Sequence, residues 1–158
     1  MKIRVLKRRQ HLPYALDDVF PFFEKPENLS RLTPGSLHFE ILTPSPVPMK
    51  AGSVIDYVIQ ISGIPMHWTT LIADYDPPYR FVDVQLKGPY EFWHHTHLFE
   101  TAPDGGVWMT DEVRYAMPLG WIGEAVHALW VGRQLEHIFD FRAHVVAGFL
   151  GDEKRVTG

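Results

Sequence analysis

The sequence predicts an α+β fold in which a curved, seven-stranded antiparallel sheet wraps a long C-terminal helix, with two short helices after the first strand. Three observations point there. The chain opens on a period-two run, its middle is a series of short β-prone runs separated by Pro and Gly turns, and it closes on an apolar stripe at helical spacing.

From Lys2 to Arg9, Ile3 and Val5 alternate with charged neighbours, the pattern of a half-buried strand. Pro13 then introduces a helix over Tyr14 to Glu24, with Leu16, Val19, Phe20 and Phe23 at helical spacing. A shorter helical piece, Pro26 to Leu32, is stopped by Thr33-Pro34. Six further strands are expected at Leu37 to Leu42, Ser53 to Ser62, Met66 to Tyr75, Tyr79 to Leu86, Glu91 to Thr101 and Val107 to Ala116. Their separators include Ser62-Gly63-Ile64-Pro65, Asp76-Pro77-Pro78, Lys87-Gly88-Pro89 and Pro103-Asp104-Gly105-Gly106. Each is short enough for an antiparallel hairpin, so a meander is the simplest topology.

After Pro118-Leu119-Gly120 a helix is expected through Leu150. Its stripe holds Ile122, Val126, Leu129, Leu135, Ile138, Phe139, Val145, Val146 and Phe149. About thirty helical residues span roughly 45 Å, too long to bury on one strand but suited to lie across a curved sheet. Residues 1–150 are therefore expected to form one domain, and 151–158 a frayed, flexible tail. The chain shows no repeat, linker or low-complexity segment.

Composition narrows the function. With 158 residues, 46% apolar and 22% charged, the chain has the make-up of one globular domain. Its 13% aromatic content, with ten Phe, six Tyr and five Trp, supplies more flat surface than a small core uses, so some rings are candidates to line a pocket. A net charge of -4 argues against a nucleic-acid partner. The one basic cluster, Lys2, Arg4, Lys7, Arg8 and Arg9, fits a solvated strand edge. The absence of cysteine excludes disulfides, thiolate metal sites and Cys nucleophiles. Met1 to Gln10 lacks the apolar core of a signal peptide and no apolar run reaches spanning length, so no membrane insertion and a cytoplasmic location are expected. No phosphate loop, nucleophile elbow or metalloprotease helix occurs, and no cofactor is expected.

The informative stretch is Gly88 to Phe99. On a strand, Trp93, His95, His97 and Phe99 share one face. A turn at Pro103-Asp104-Gly105 with Gly105 left-handed sets the register with the next strand: Phe99 opposite Met109, His97 opposite Asp111, His95 opposite Val113, Trp93 opposite Tyr115. The same reasoning across Lys87-Gly88-Pro89-Tyr90 sets Gln85 near Trp93 and Asp83 near His95, with Phe81 on that face. A His97–Asp111 contact would fix the imidazole tautomer and raise its pKa.

The candidate ligand-binding residues are therefore Trp68, Phe81, Asp83, Gln85, Trp93, His95, His97, Phe99, Asp111 and Tyr115. For Trp68, Trp93 and Phe99 the alternative is core packing. His95 and His97 have three roles open to them: an internal hydrogen-bond network, polar contact to a ligand, or acid-base catalysis together with Asp111. His-x-His with a nearby Asp also has the donor types of a metal site, but the sequence spaces no third ligand and no metal is expected.

Several stretches together resemble the START/Bet v 1-like helix-grip superfamily. They are Phe20 to Leu29, Leu32-Thr33-Pro34, Pro77 to Asp83, Gly88-Pro89-Tyr90 with Trp93 to Phe99, and Asp111 to Tyr115 before Pro118-Leu119-Gly120. The bacterial polyketide cyclase/dehydrase-like group is the most similar branch, over Lys2 to Leu150. The resemblance implies a cavity between sheet and helix for a lipid, polyketide or quinone-like molecule, with cyclase or dehydratase chemistry in some members and a regulatory role with a vestigial cavity as a further reading. Similar domains occur joined to an epimerase-like Rossmann domain; no dinucleotide fingerprint is present here, so such a partner would be a separate protein.

Overall fold

The computed structural model describes the backbone of residues 1–61 and 63–157 and the side chains as far as Asp152. Ser62, which the sequence places in a strand-and-turn segment, and Gly158 lie outside the described residues. The strands are β1 (Arg4–Leu12), β2 (Glu40–Ile41), β3 (Val54–Ile61), β4 (Ile64–Asp76), β5 (Arg80–Lys87), β6 (Phe92–Thr101) and β7 (Val107–Ala116). Helix α1 (Leu16–Phe23) and 3₁₀ segments at Pro26–Leu32 and Gly35–Leu37 follow β1. The chain closes on α2 (Gly120–Val126), a π-helical turn (His127–Val131) and α3 (Gly132–Thr157).

All strand pairs are antiparallel, in the order β1-β7-β6-β5-β4-β3-β2. The meander holds from β2 to β7, and β1 returns to pair with β7 along its whole length, so that it reaches Leu12. Two register shifts interrupt the β4–β5 pairing, between Thr69 and Thr70 and between Ile72 and Asp74. Such bulges bend a strand and strengthen its twist, which suits a sheet that must curve around a helix. The β2 run is shorter than expected, because Gly35–Leu37 forms a 3₁₀ turn and His38 takes a left-handed conformation at φ 45°.

The β6–β7 hairpin closes as its turn chemistry dictates. Gly105 sits at φ 86° and the Ala102 N–H donates to the Gly106 carbonyl at 2.8 Å. The pairs Phe99–Met109, His97–Asp111, His95–Val113 and Trp93–Tyr115 follow.

The C-terminal helix differs from the expected uniform rod. Its buried stripe is Val131, Leu135, Phe139, Arg142, Val146 and Leu150, spaced three or four residues apart. Ile122, Val126 and Leu129, placed on that stripe by the sequence, are instead exposed. The helical period itself explains this: even in a regular helix these three stand roughly 110–170° away from the centre of that stripe. The π turn at His127–Val131 marks the junction between the two stretches. The His127 ring faces Tyr115 there, Nε2 to hydroxyl at 2.7 Å. The helix runs to Thr157.

Candidate functional site

Two interiors lie between sheet and helix. Toward one end, Phe20, Phe22, Phe23, Phe99, Val107, Met109, Val146 and Leu150 pack into a filled core. Toward the other, Trp68, Trp93, Leu135 and Phe139 cluster around space. That space is a cavity of about 190 Å³, far beyond the ~10–15 Å³ that one water requires. Its walls come from strands β2 to β6, the end of α1, the Pro26–Leu32 segment and α3.

The lining is mostly flat and apolar. Trp68 meets Trp93 edge-on at 5.1 Å and stacks on Tyr57 at 5.8 Å, while Tyr90 lies 4.9 Å from Trp93. At one end the wall turns polar, where Asp83, His95, His97 and Arg142 meet it. The two imidazoles leave β6 two residues apart on one face and stack with centroids 3.7 Å apart. Phe81 covers the outer side of His97 at 4.0 Å.

A carboxylate closes each side of that pair. His97 Nε2 reaches Asp83 Oδ2 at 2.6 Å, and His95 Nδ1 stands 3.6 Å from the same oxygen. On the opposite side, His95 Nε2 reaches Asp111 Oδ1 at 2.8 Å and His97 Nδ1 lies 3.4 Å from it. The expected His97–Asp111 contact is present at 3.4 Å, but it is not the shortest bond of either residue. The two residues are directly opposed on β6 and β7, but the short bond runs diagonally to His95, because Asp83 on β5 takes His97. Arg142 descends from α3 onto this cluster, its Nη2 3.4 Å from Asp111 Oδ1 and 3.5 Å from His97 Nδ1.

Burial and charge pull these groups in opposite directions. Burial alone would raise Asp111, yet the Arg142 guanidinium and the two imidazoles hold its carboxyl well below the ordinary range. Asp83 is also lowered; burial is overcome by His95 and His97, with the Trp93 indole N–H contributing. Burial pushes His95 down, helped by the neighbouring His97, and the carboxylates do not compensate. In His97 the contacts with Asp111 and Asp83 outweigh burial and the imidazole moves up. The stacked pair thus holds one proton more readily than two.

Of the sequence-derived candidates, Trp68, Phe81, Asp83, Trp93, His95 and His97 line the cavity. Four stand elsewhere. Phe99 is in the filled core beside Phe20 and Phe23, and Asp111 lies behind the imidazoles. Tyr115 turns its hydroxyl to His127. Gln85 is occupied with the backbone of Tyr90, donating from Nε2 to its carbonyl and accepting its N–H.

Sequence reasoning missed the wall aromatics Tyr57 and Tyr90 and, at the polar end, Arg142, which is only 7% exposed. For Arg142 a signal was available: it falls three residues after Phe139 and four before Val146, so the helical period puts a cation on the buried stripe.

No protein-family profile matches the sequence, and no curated protein does. The fold, by contrast, is widely shared. The Zhui aromatase/cyclase of Streptomyces sp. R1128 superposes with a TM-score of 0.76 at 14% identity, over 99% of both chains. A START superfamily protein of Mycobacterium smegmatis gives 0.67 at 11% identity, over 94% of this chain and 97% of the other. Norcoclaurine synthase of Thalictrum flavum, in complex with dopamine and hydroxybenzaldehyde, gives 0.65 at 14% identity over 92% and 87%. The chain therefore has the helix-grip fold of START and Bet v 1-like proteins. Among the described residues no helix is long and apolar enough to cross a membrane.

Proposed function

We propose that this protein binds a small, largely apolar molecule in the cavity, with aromatic walls supplying affinity and the His97–Asp83–Arg142 end supplying orientation. The observation that carries the reading is the single chamber lined by Trp68, Trp93 and Tyr57 that ends on buried ionisable groups. Flat walls favour an aromatic, polyketide or quinone-like molecule over a flexible acyl chain, because rigid rings lose little entropy when they stack. That a protein of this fold holds dopamine and hydroxybenzaldehyde supports a ligand of this kind. The test is native mass spectrometry of protein taken directly from its host, with a thermal-shift panel of quinones, aromatic polyketides and lipids on delipidated protein. A raised Tm with one or more aromatic compounds, lost in Trp68→Ala, is expected; no retained mass and no shift across the panel overturns the reading.

The second reading is acid-base catalysis on a bound carbonyl compound. It is favoured by the His97 imidazole, which reaches the cavity wall while bonded to Asp83. Substitution of His97 would then remove turnover and leave binding largely intact, whereas equal loss of both would assign the residue to structure.

A further inference from the structure

We propose that Asp83, His95 and His97 form a divalent transition-metal site at the polar end of the cavity, with zinc its simplest occupant. One carboxylate oxygen and one nitrogen from each imidazole lie within 4.8 Å of one another. An ion bound at ~2.0–2.2 Å holds neighbouring ligands about 3 Å apart. The two contacts to Asp83 Oδ2, 2.6 Å from His97 Nε2 and 3.6 Å from His95 Nδ1, bracket that spacing. Both imidazoles leave one face of β6 and Asp83 on β5 pairs with His95, so the donors share one place. The stacked rings, 3.7 Å and 29° apart, complete the set by splaying until both inner lone pairs converge on the ion.

The hydrogen bonds orient the donors. His95 gives its Nε2 hydrogen to Asp111, so its Nδ1 lone pair faces the ionised Asp83. Two acceptors opposed in a buried place require a cation between or beside them, and a proton on His97 is the minimal solution. A metal ion is the alternative occupant. Asp111 sits behind both rings, 2.8 Å from His95 Nε2 and 3.4 Å from His97 Nδ1, where it can receive both outer N–H hydrogens and turn the inner nitrogens toward the ion. Metal-bound imidazoles are commonly held by an outer carboxylate in this way. Arg142 contacts Asp111, on the side of the rings away from Asp83, and so holds the outer carboxylate rather than competing for the inner one.

Two imidazoles and one carboxylate suit zinc, ferrous iron or nickel, and leave a position open. With both imidazoles neutral, the ion together with Asp83, Asp111 and Arg142 carries one net positive charge. An anionic oxygen, from hydroxide or from a molecule in the cavity, would balance it.

The experiment is calorimetric titration of chelator-treated protein with Zn²⁺, with no organic molecule present. A single saturable site per chain is expected. It should weaken at least about 100-fold in His97→Gln and Asp83→Asn, and roughly 10- to 100-fold in Asp111→Asn. His137→Gln, an exposed α3 position, should leave it unchanged. Co²⁺ added to the unsubstituted protein should shift the His95 and His97 imidazole resonances, which decides the matter if the variants do not fold. Absence of saturable binding of Zn²⁺, Co²⁺ and Ni²⁺, full affinity in both folded inner variants, or unshifted imidazole signals would each overturn the proposal. None of these outcomes bears on the cavity ligand, which takes no part in the titration.

Discussion

Strand β6 passes through two interiors that differ in kind. At its C-terminal end Phe99 is 1% exposed and wedged among Phe20, Phe23 and Phe81, with ring centroids 5.2 to 6.1 Å apart. At its N-terminal end Trp93 has neighbours on one side and the cavity on the other. The same alternation serves both, so what separates them is the opposing layer. Helix α1 fills the first region, whereas the second is roofed by α3 and the Pro26–Leu32 segment, with α1 reaching it through its last two residues, Phe22 and Phe23. One end of the sheet holds the fold together and the other end is free to be a site.

The most forceful way to break this contrast is to delete one ring from each interior. Phe99→Ala should cost about 3–5 kcal/mol, because the hole opens in a close-packed core. Phe139→Ala, on the cavity wall, should cost roughly 1 kcal/mol less, since part of that ring already faces empty space. Equal losses in denaturant unfolding would mean that the two halves are packed alike.

Arg142→Met probes the boundary between them. It leaves Asp111 with its imidazoles but without the guanidinium, and removing one partner of a buried pair costs on the order of 3 kcal/mol. The double variant Arg142→Met with Asp111→Asn should recover part of that loss, a non-additivity that a double-mutant cycle measures directly.

Smaller effects belong to the rim of the hollow half. Glu27 Oε1 accepts the Val47 N–H at 3.0 Å and the Ser45 hydroxyl at 2.9 Å, tying the Pro26–Leu32 segment to the following loop. The Val47 N–H chiefly holds the Glu27 carboxyl below its ordinary value of 4.5. A depressed folded-state pKa stabilises the protein fully above that value, and the stabilisation is lost as pH falls through the lowered one. Glu27→Gln should therefore flatten the acid limb of the stability curve. The group is only partly buried, so solvent screens it and the change should stay under ~1 kcal/mol. Smallest of all, Trp121→Ser on the outward face of α2 should alter stability by less than about 0.5 kcal/mol, despite the size of the residue removed.

How much of this was legible in the chain follows from the range of each interaction. The β6–β7 register was written locally, in Asp104-Gly105 and the alternation on either side of it, and it placed His97 opposite Asp111 correctly. Which carboxylate each imidazole then takes depends on three strands at once, and the pairing came out diagonal. The stripe on α3 was readable from its period as far back as Val131. Ile122, Val126 and Leu129 are apolar but out of phase with that stripe, so a strict count of the period would already have placed them outside it. Arg142 shows the remaining gap: apolar periodicity looks for hydrophobic residues and passes over a cation that sits in phase with them.

The edge-to-face pair Trp68 and Trp93 has a consequence for light. Two of the five indoles stand in the cavity wall, next to Tyr57 and Tyr90, while Trp121 is 81% exposed and emits from solvent. Occupancy of the chamber alters the surroundings of the first two alone. With Trp108, Trp121 and Trp130 replaced by Phe, intrinsic emission becomes a label-free gauge of whether the chamber is full.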